Sequence, residues 1–136
     1  MRNIIRNMDK ASRDLDERYM SIRAKETQLE IHKRALSMLH EAGLDDQIIH
    51  EQVQLHENAI RSLQGEIAPL KLEQINDFSR LEDPEVFDVM KMRYFNYLTW
   101  DEIAEKHDRT GRWAQLQRNK GLYLILLAKE ETPRSL

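Results

Sequence analysis

LTWDEIAEKHDRTGRW, residues 98–113, holds two helix starts and one chain reversal. Thr99 followed three residues later by Glu102 is a capping box, in which each residue satisfies an orphan N–H of the other's backbone. Ile103 and Ala104 supply the apolar side of the short helix that follows. Asp108-Arg109 turns the chain, and Thr110 caps a final helix running to about Ala128. This spacing predicts a helix-turn-helix.

The flanks agree with that reading. Asp83-Pro84-Glu85 places an N-cap, a proline at the first helical position and an acid in the first turn. Val86, Phe87, Val89, Met90, Met92, Tyr94 and Phe95 then give a helix with a broad apolar face, closed by a turn at Asn96-Tyr97-Leu98. Downstream, LYLILLA (122–128) is apolar all round the helix, as expected of a segment buried against other helices or used between copies.

Further upstream the pattern lengthens. Met8, Leu15, Ile22, Leu29 and Leu36 recur at steps of seven with nothing to break a helix between Arg2 and Glu41, a rod of ~60 Å. Its companion positions Ala11, Arg18, Lys25, His32 and Leu39 are mostly polar, so the helix needs a partner to complete an apolar stripe. Gly43 suits a helix C-cap and Asp45 or Asp46 the next N-cap. Ile49, Val53, His56, Ile60, Leu63, Ile67, Leu70 and Gln74 then alternate spacings of four and three. Pro69 falls inside this seam and is expected to kink or end the helix.

Residues 1–40 carry nine Lys/Arg and six Asp/Glu, a net of +3; residues 41–82 carry three and nine, a net of −6. These opposite charges favour pairing of the two long helices, as an antiparallel hairpin or an exchanged dimer. For a homodimer the interface residues are Leu15, Ile22, Leu29, Leu36, Val53, Ile60, Leu63 and Ile67. The expected fold is all-α: a long two-helix coiled-coil or hairpin dimerisation arm over residues 1–81, then a helix-turn-helix domain over 82–136.

Little in the chain suggests catalysis. It has no cysteine, hence no disulfide framework or thiolate metal site, which fits the cytoplasm. His50-Glu51 opens like a zinc-protease motif, but the residue four after His50 is Gln54. His56 reads as a polar seam residue that sets register rather than as a metal ligand. No glycine-rich phosphate loop occurs. Neither an enzyme, a cofactor nor a metal is expected. The first residues are no secretory signal, and the longest apolar run, Leu122 to Ala128, is far short of the ~20 residues of a membrane span. A soluble intracellular protein follows.

The net charge of −3 argues against nonspecific nucleic-acid binding, yet Lys106 to Lys120 holds five basic residues against the single Asp108. A recognition helix contacts bases from its first turns and phosphates around them. Arg109, Arg112, Gln115, Arg118, Asn119 and Lys120 have suitable chemistry: Arg reads guanine, Gln and Asn read adenine, and Lys meets phosphate. The plainer alternative makes them the solvated face of a last helix. Trp113, Leu116, Tyr123, Leu124 and Leu127 form a competing apolar stripe, and Trp100 reads as core filling.

Residues 83–126 resemble region four of sigma factors. They look more closely like the ArpU/RinA-like phage regulators of late-gene transcription. Arg93-Tyr94, Thr99-Trp100, Glu102-Ile103-Ala104, Thr110, Arg112-Trp113 and Gly121-Leu122 match in order and spacing over about 45 residues. The resemblance implies a phage-encoded activator that binds double-stranded DNA near host RNA polymerase in the bacterial cytoplasm. Its DNA face would be Thr110, Arg112, Trp113, Gln115, Arg118 and Asn119, with Thr99 turned towards a phosphate. The sequence departs from the pattern at Ala114, Leu116, Gln117 and Gly121. A second reading keeps the fold but docks it on a host protein, such as polymerase, a repressor or a nuclease. A purely structural coiled-coil adaptor would make the capping box and the motif match accidental.

Overall fold

The computed structural model describes residues 2–131, with side chains from Arg6 onwards. All regular structure among them is helical: α1 (Arg2–Glu41), α2 (Asp46–Phe78), α3 (Pro84–Tyr94), α4 (Trp100–Lys106) and α5 (Gly111–Glu131). The chain divides into two compact units. One comprises residues up to Asp16 together with those from Gln74 onwards; the other is Glu17–Glu73. The division therefore cuts through α1 and α2, whereas the sequence suggested a boundary in the break between α2 and α3.

Within Glu17–Glu73, α1 and α2 run antiparallel. Arg18 meets Glu73 at 3.3 Å, Lys25 meets Glu66 at 3.4 Å, and His32 meets His56 at 2.8 Å, so the numbers fall on α2 as they rise on α1. Lys71 also reaches Glu26 at 3.0 Å. These partly exposed ion pairs set opposite charges at matched levels, which disfavours other registers. The reversal is made by residues 42–45, where Gly43 takes φ +64, a left-handed conformation that glycine adopts without steric cost. Asp45 Oδ1 accepts from the Gln47 N–H at 3.0 Å and caps α2.

Tyr19, Ile22, Leu63 and Ile67 are buried, and Leu29, Leu36, Val53 and Ile60 half-buried. Seven of the eight residues expected at a dimer interface thus serve the pairing of two helices in one chain; the eighth, Leu15, is buried in the other unit. The short left-handed loop brings the acidic helix back onto the basic one in cis. Pro69 does not end α2, which continues to Phe78. Both Pro69 and Gly65, four residues before it, are exposed, so the carbonyl that loses its N–H partner faces water.

In the other unit α3, α4 and α5 pack on one another. Val89, Ile103 and Ala114, one from each helix, are buried at the centre, and Met92, Leu98, Trp100 and Trp113 close around them. Phe78 at the end of α2 meets Tyr94 and Phe95 edge-on at 5.7 and 5.6 Å. Gln74, the second polar member of the α2 seam, is 1% exposed and donates to the Tyr94 carbonyl at 3.0 Å, satisfying an orphan acceptor at the end of α3. Lys129 of α5 pairs with the buried Asp77 at 2.8 Å.

Gly121 marks a close approach between α5 and α3. A Cβ there would stand 3.0 Å from Val86 Cγ1 and 3.1 Å from Met90 Cγ, so α5 lies close on α3 because residue 121 has no side chain. Gly121→Val is expected to cost about 1–3 kcal/mol through overpacking. Gly65→Ala, at an exposed helical position with nothing within 4 Å of the new Cβ, should stabilise by about 0.5–1 kcal/mol. Urea unfolding of the two variants checks both signs.

Candidate nucleic-acid interface

The short helix α4 is fixed at both ends by its own sequence. Thr99 Oγ1 accepts from the Glu102 N–H at 3.1 Å while Thr99 N–H donates to Glu102 Oε1 at 2.9 Å. The Thr99 N–H, followed by its hydroxyl, holds the Glu102 carboxyl below the usual carboxylate range. At its far end Arg109 N–H donates to the Ala104 carbonyl at 2.8 Å, and Asp108 takes φ 55 to reverse the chain. Asp108 suits this left-handed turn better than most non-glycine residues. His107, between the two, places Nε2 2.9 Å from Asp88 Oδ2 and ties the turn to α3. Thr110 Oγ1 accepts from the Trp113 N–H at 3.2 Å and starts α5.

Below this turn the aromatic residues form a platform. Trp113 is half-buried against the Val89–Ile103–Ala114 centre, with the His107 ring 5.1 Å away and the Arg109 guanidinium 5.5 Å from its ring centroid. Trp100 lies under the Arg93 guanidinium at 4.8 Å, and Arg93 Nη1 donates to the Leu98 carbonyl at 3.1 Å. Both tryptophans support the turn.

On α5 the inward and outward faces are clearly separated. Ala114, Gly121, Leu122 and Ile125 are buried. Arg112, Gln115, Leu116 and Asn119 are exposed, and their spacing of three, one and three residues sets them on one face. Arg109 is exposed beside its first turn. These residues form the outward surface suited to meeting a nucleic acid.

Two expected basic contacts are engaged elsewhere, and Asn119 Oδ1 accepts from Arg118 Nη1 at 3.3 Å. Arg118 is turned inward, its side chain 11% exposed: Nε donates to the Tyr94 hydroxyl at 2.9 Å, and the guanidinium meets both Asp16 carboxylate oxygens at 3.1 Å. Lys120 Nζ lies 3.2 Å from Asp83 Oδ2. Asp83 also accepts from the Glu85 and Val86 N–H groups as N-cap of α3. The Val86 N–H, then Lys120, lower its carboxyl below the usual range. Thr99 and Thr110 both use their hydroxyls as caps.

Leu116, 54% exposed, stands in the middle of the outward face. Asp101 stands exposed in the first turn of α4. Its carboxylate stands against the start of α5, where a Cβ on Gly111 would lie 2.9 Å from Oδ1. Among the described residues no group of three His, Cys, Asp or Glu could hold a metal ion, and no helix is long and apolar enough to cross a membrane. No protein-family model, curated protein or solved structure matches this chain.

Burial, opposed by Arg118 and reinforced by Asp16, pushes the Tyr94 hydroxyl up to about 12 from 10.0. The folded chain holds this proton more tightly than the unfolded chain. The stabilisation is therefore intact below pH 10.0 and is lost as pH rises towards 12. In an absorbance titration of the four tyrosines, one should ionise last, near pH 12, and Tyr94→Phe should remove that step.

Proposed function

We propose that this chain is a phage-type, sequence-specific DNA-binding regulator of transcription. In this reading α4 and α5 form a helix-turn-helix supported by α3, α5 enters the major groove, and the paired long helices serve as an arm. The observation that carries it is the outward face of α5. Arg112, Gln115 and Asn119 stand exposed on one side of a helix whose start is capped and whose opposite side is buried. Those side chains suit guanine and adenine edges, and Arg109 beside the first turn suits a phosphate. The phage context, the activator role and the nearby polymerase rest on the likeness to ArpU/RinA-like regulators and to sigma region four. One α5 offers few base contacts, so two copies on adjacent half-sites belong to the proposal.

A second reading, docking on a host protein, is favoured by one specific feature. Leu116 projects from the centre of the same face, while Arg118 and Lys120 are engaged by carboxylates.

Titration of duplex fragments drawn from a random pool, at several salt concentrations, separates the two. A DNA reader loses affinity steeply as salt rises. Arg112→Ala should weaken binding about tenfold or more, as loss of a base contact does, and leave the unfolding midpoint unchanged. Arg118→Ala should act the other way round, lowering stability through the lost contacts to Tyr94 and Asp16. If no fragment binds below ~10 μM in low salt, DNA reading fails and docking on a host protein takes its place.

A further inference from the structure

The α1–α2 seam of Glu17–Glu73 is interrupted at one level by two histidines. His32 of α1 and His56 of α2 are both half-buried and meet Nδ1 to Nδ1 at 2.8 Å. Their ring centroids are 5.1 Å apart, the nitrogen separation plus the two ring radii, so the rings meet end to end. That is the geometry of an N–H···N hydrogen bond. Two imidazoles ligating one ion would instead converge on a point off the line joining them.

The bond needs one ring with Nδ1–H and one with a bare Nδ1. A first proton can be added at the far nitrogen of the donor ring, leaving the bond in place and charge-assisted. A second proton must go to the accepting Nδ1 itself. It would set two N–H groups and two positive charges against each other at 2.8 Å.

No carboxylate is placed to offset that. One turn either side stand Gln28, Leu29, Ala35 and Leu36 on α1, and Gln52, Val53, Ala59 and Ile60 on α2. The charged residues nearest in sequence, Glu30, Lys33, Arg34 and Glu57, are exposed. Lys25 and Glu66, at the next level of the seam, pair with each other. Beyond the histidines no residue from Lys33 to Leu55 is buried, and Met38, Leu44, Ile48 and Leu55 are 65, 49, 55 and 59% exposed. The helix ends there rest on the half-buried Leu36, Leu39, Ile49 and Val53 and on the histidine bond.

We propose that His32 and His56 form a proton-operated latch, which holds the ends of α1 and α2 flanking residues 42–45 together at neutral pH and releases them when both rings are protonated. The unfolded or opened segment binds the second proton more readily than the closed one. The closed state therefore keeps its histidine bond until acid adds the second proton, and weakens as that proton is taken up.

Hydrogen exchange of the full chain at about pH 7.5 and 5.5, corrected for intrinsic rates, tests the latch. Amides of residues 33–55 should lose about tenfold or more of their protection at the lower pH, with α3–α5 unchanged. His32→Leu/His56→Leu makes the seam continuously apolar and keeps the exposed His40 and His50. It should hold protection at both pH values. Equal losses in the wild type and this variant, or no loss in either, would overturn the proposal. Should the variant fail to fold, nitrogen NMR of the wild-type rings decides. One bare and one protonated Nδ1 near neutrality, titrating in two separate steps, support the latch; two rings titrating independently of each other contradict it.

Discussion

The Tyr94 hydroxyl sets the orientation of the candidate recognition helix. It accepts from Arg118 Nε at 2.9 Å and donates to Asp16 Oδ1 at 3.2 Å, while Arg118 itself clasps the Asp16 carboxylate. Residues of α1, α3 and α5 are thereby joined through one largely buried phenol. A guanidinium drawn inward at position 118 fixes which side of α5 faces the core. Ala114 and Gly121 lie on that side, and their small size lets the helix settle against Val89, Ile103, Val86 and Met90. Arg112, Gln115, Leu116 and Asn119 are left outside as a consequence.

This packing gives individual residues of α3 and α5 a physical role. Arg93 holds the Leu98 carbonyl and covers Trp100, so it braces the turn into α4. Tyr94 organises the ion pair behind α5. Ala114 and Gly121 are buried on the side of α5 that packs inward, and Gly121 is a position of close helix approach. The basic character of residues 106–120 is thus divided: Arg109 and Arg112 stay outside, while Arg118 and Lys120 answer acids at positions 16 and 83.

Much of the fold was legible in the sequence because it is written locally. The Thr99–Glu102 capping box, Asp83 before Pro84 and the left-handed Gly43 involve only neighbours in the chain, and each falls where the pattern put it. The helix through Pro69 was not legible, since whether a lost backbone bond breaks a helix depends on which side faces water. Periodicity also says which residues of a long helix are apolar, not whether their partner is in the same chain. The inward turn of Arg118 depends on Asp16, more than a hundred residues away, and no local pattern could report it. The same is true of His32 and His56, read singly along the sequence and meaningful only as a pair.

In the proposed function one face of α5, defined by Arg112, Gln115, Leu116 and Asn119, meets a duplex. The most direct test is chemical-shift mapping of the isotope-labelled full chain titrated with a duplex selected from a random pool. Shifts are expected on those four residues and Arg109, with the Arg118 and Tyr94 side chains little changed. Shifts centred on the long helices, or on Arg118 with the outward face silent, would contradict it.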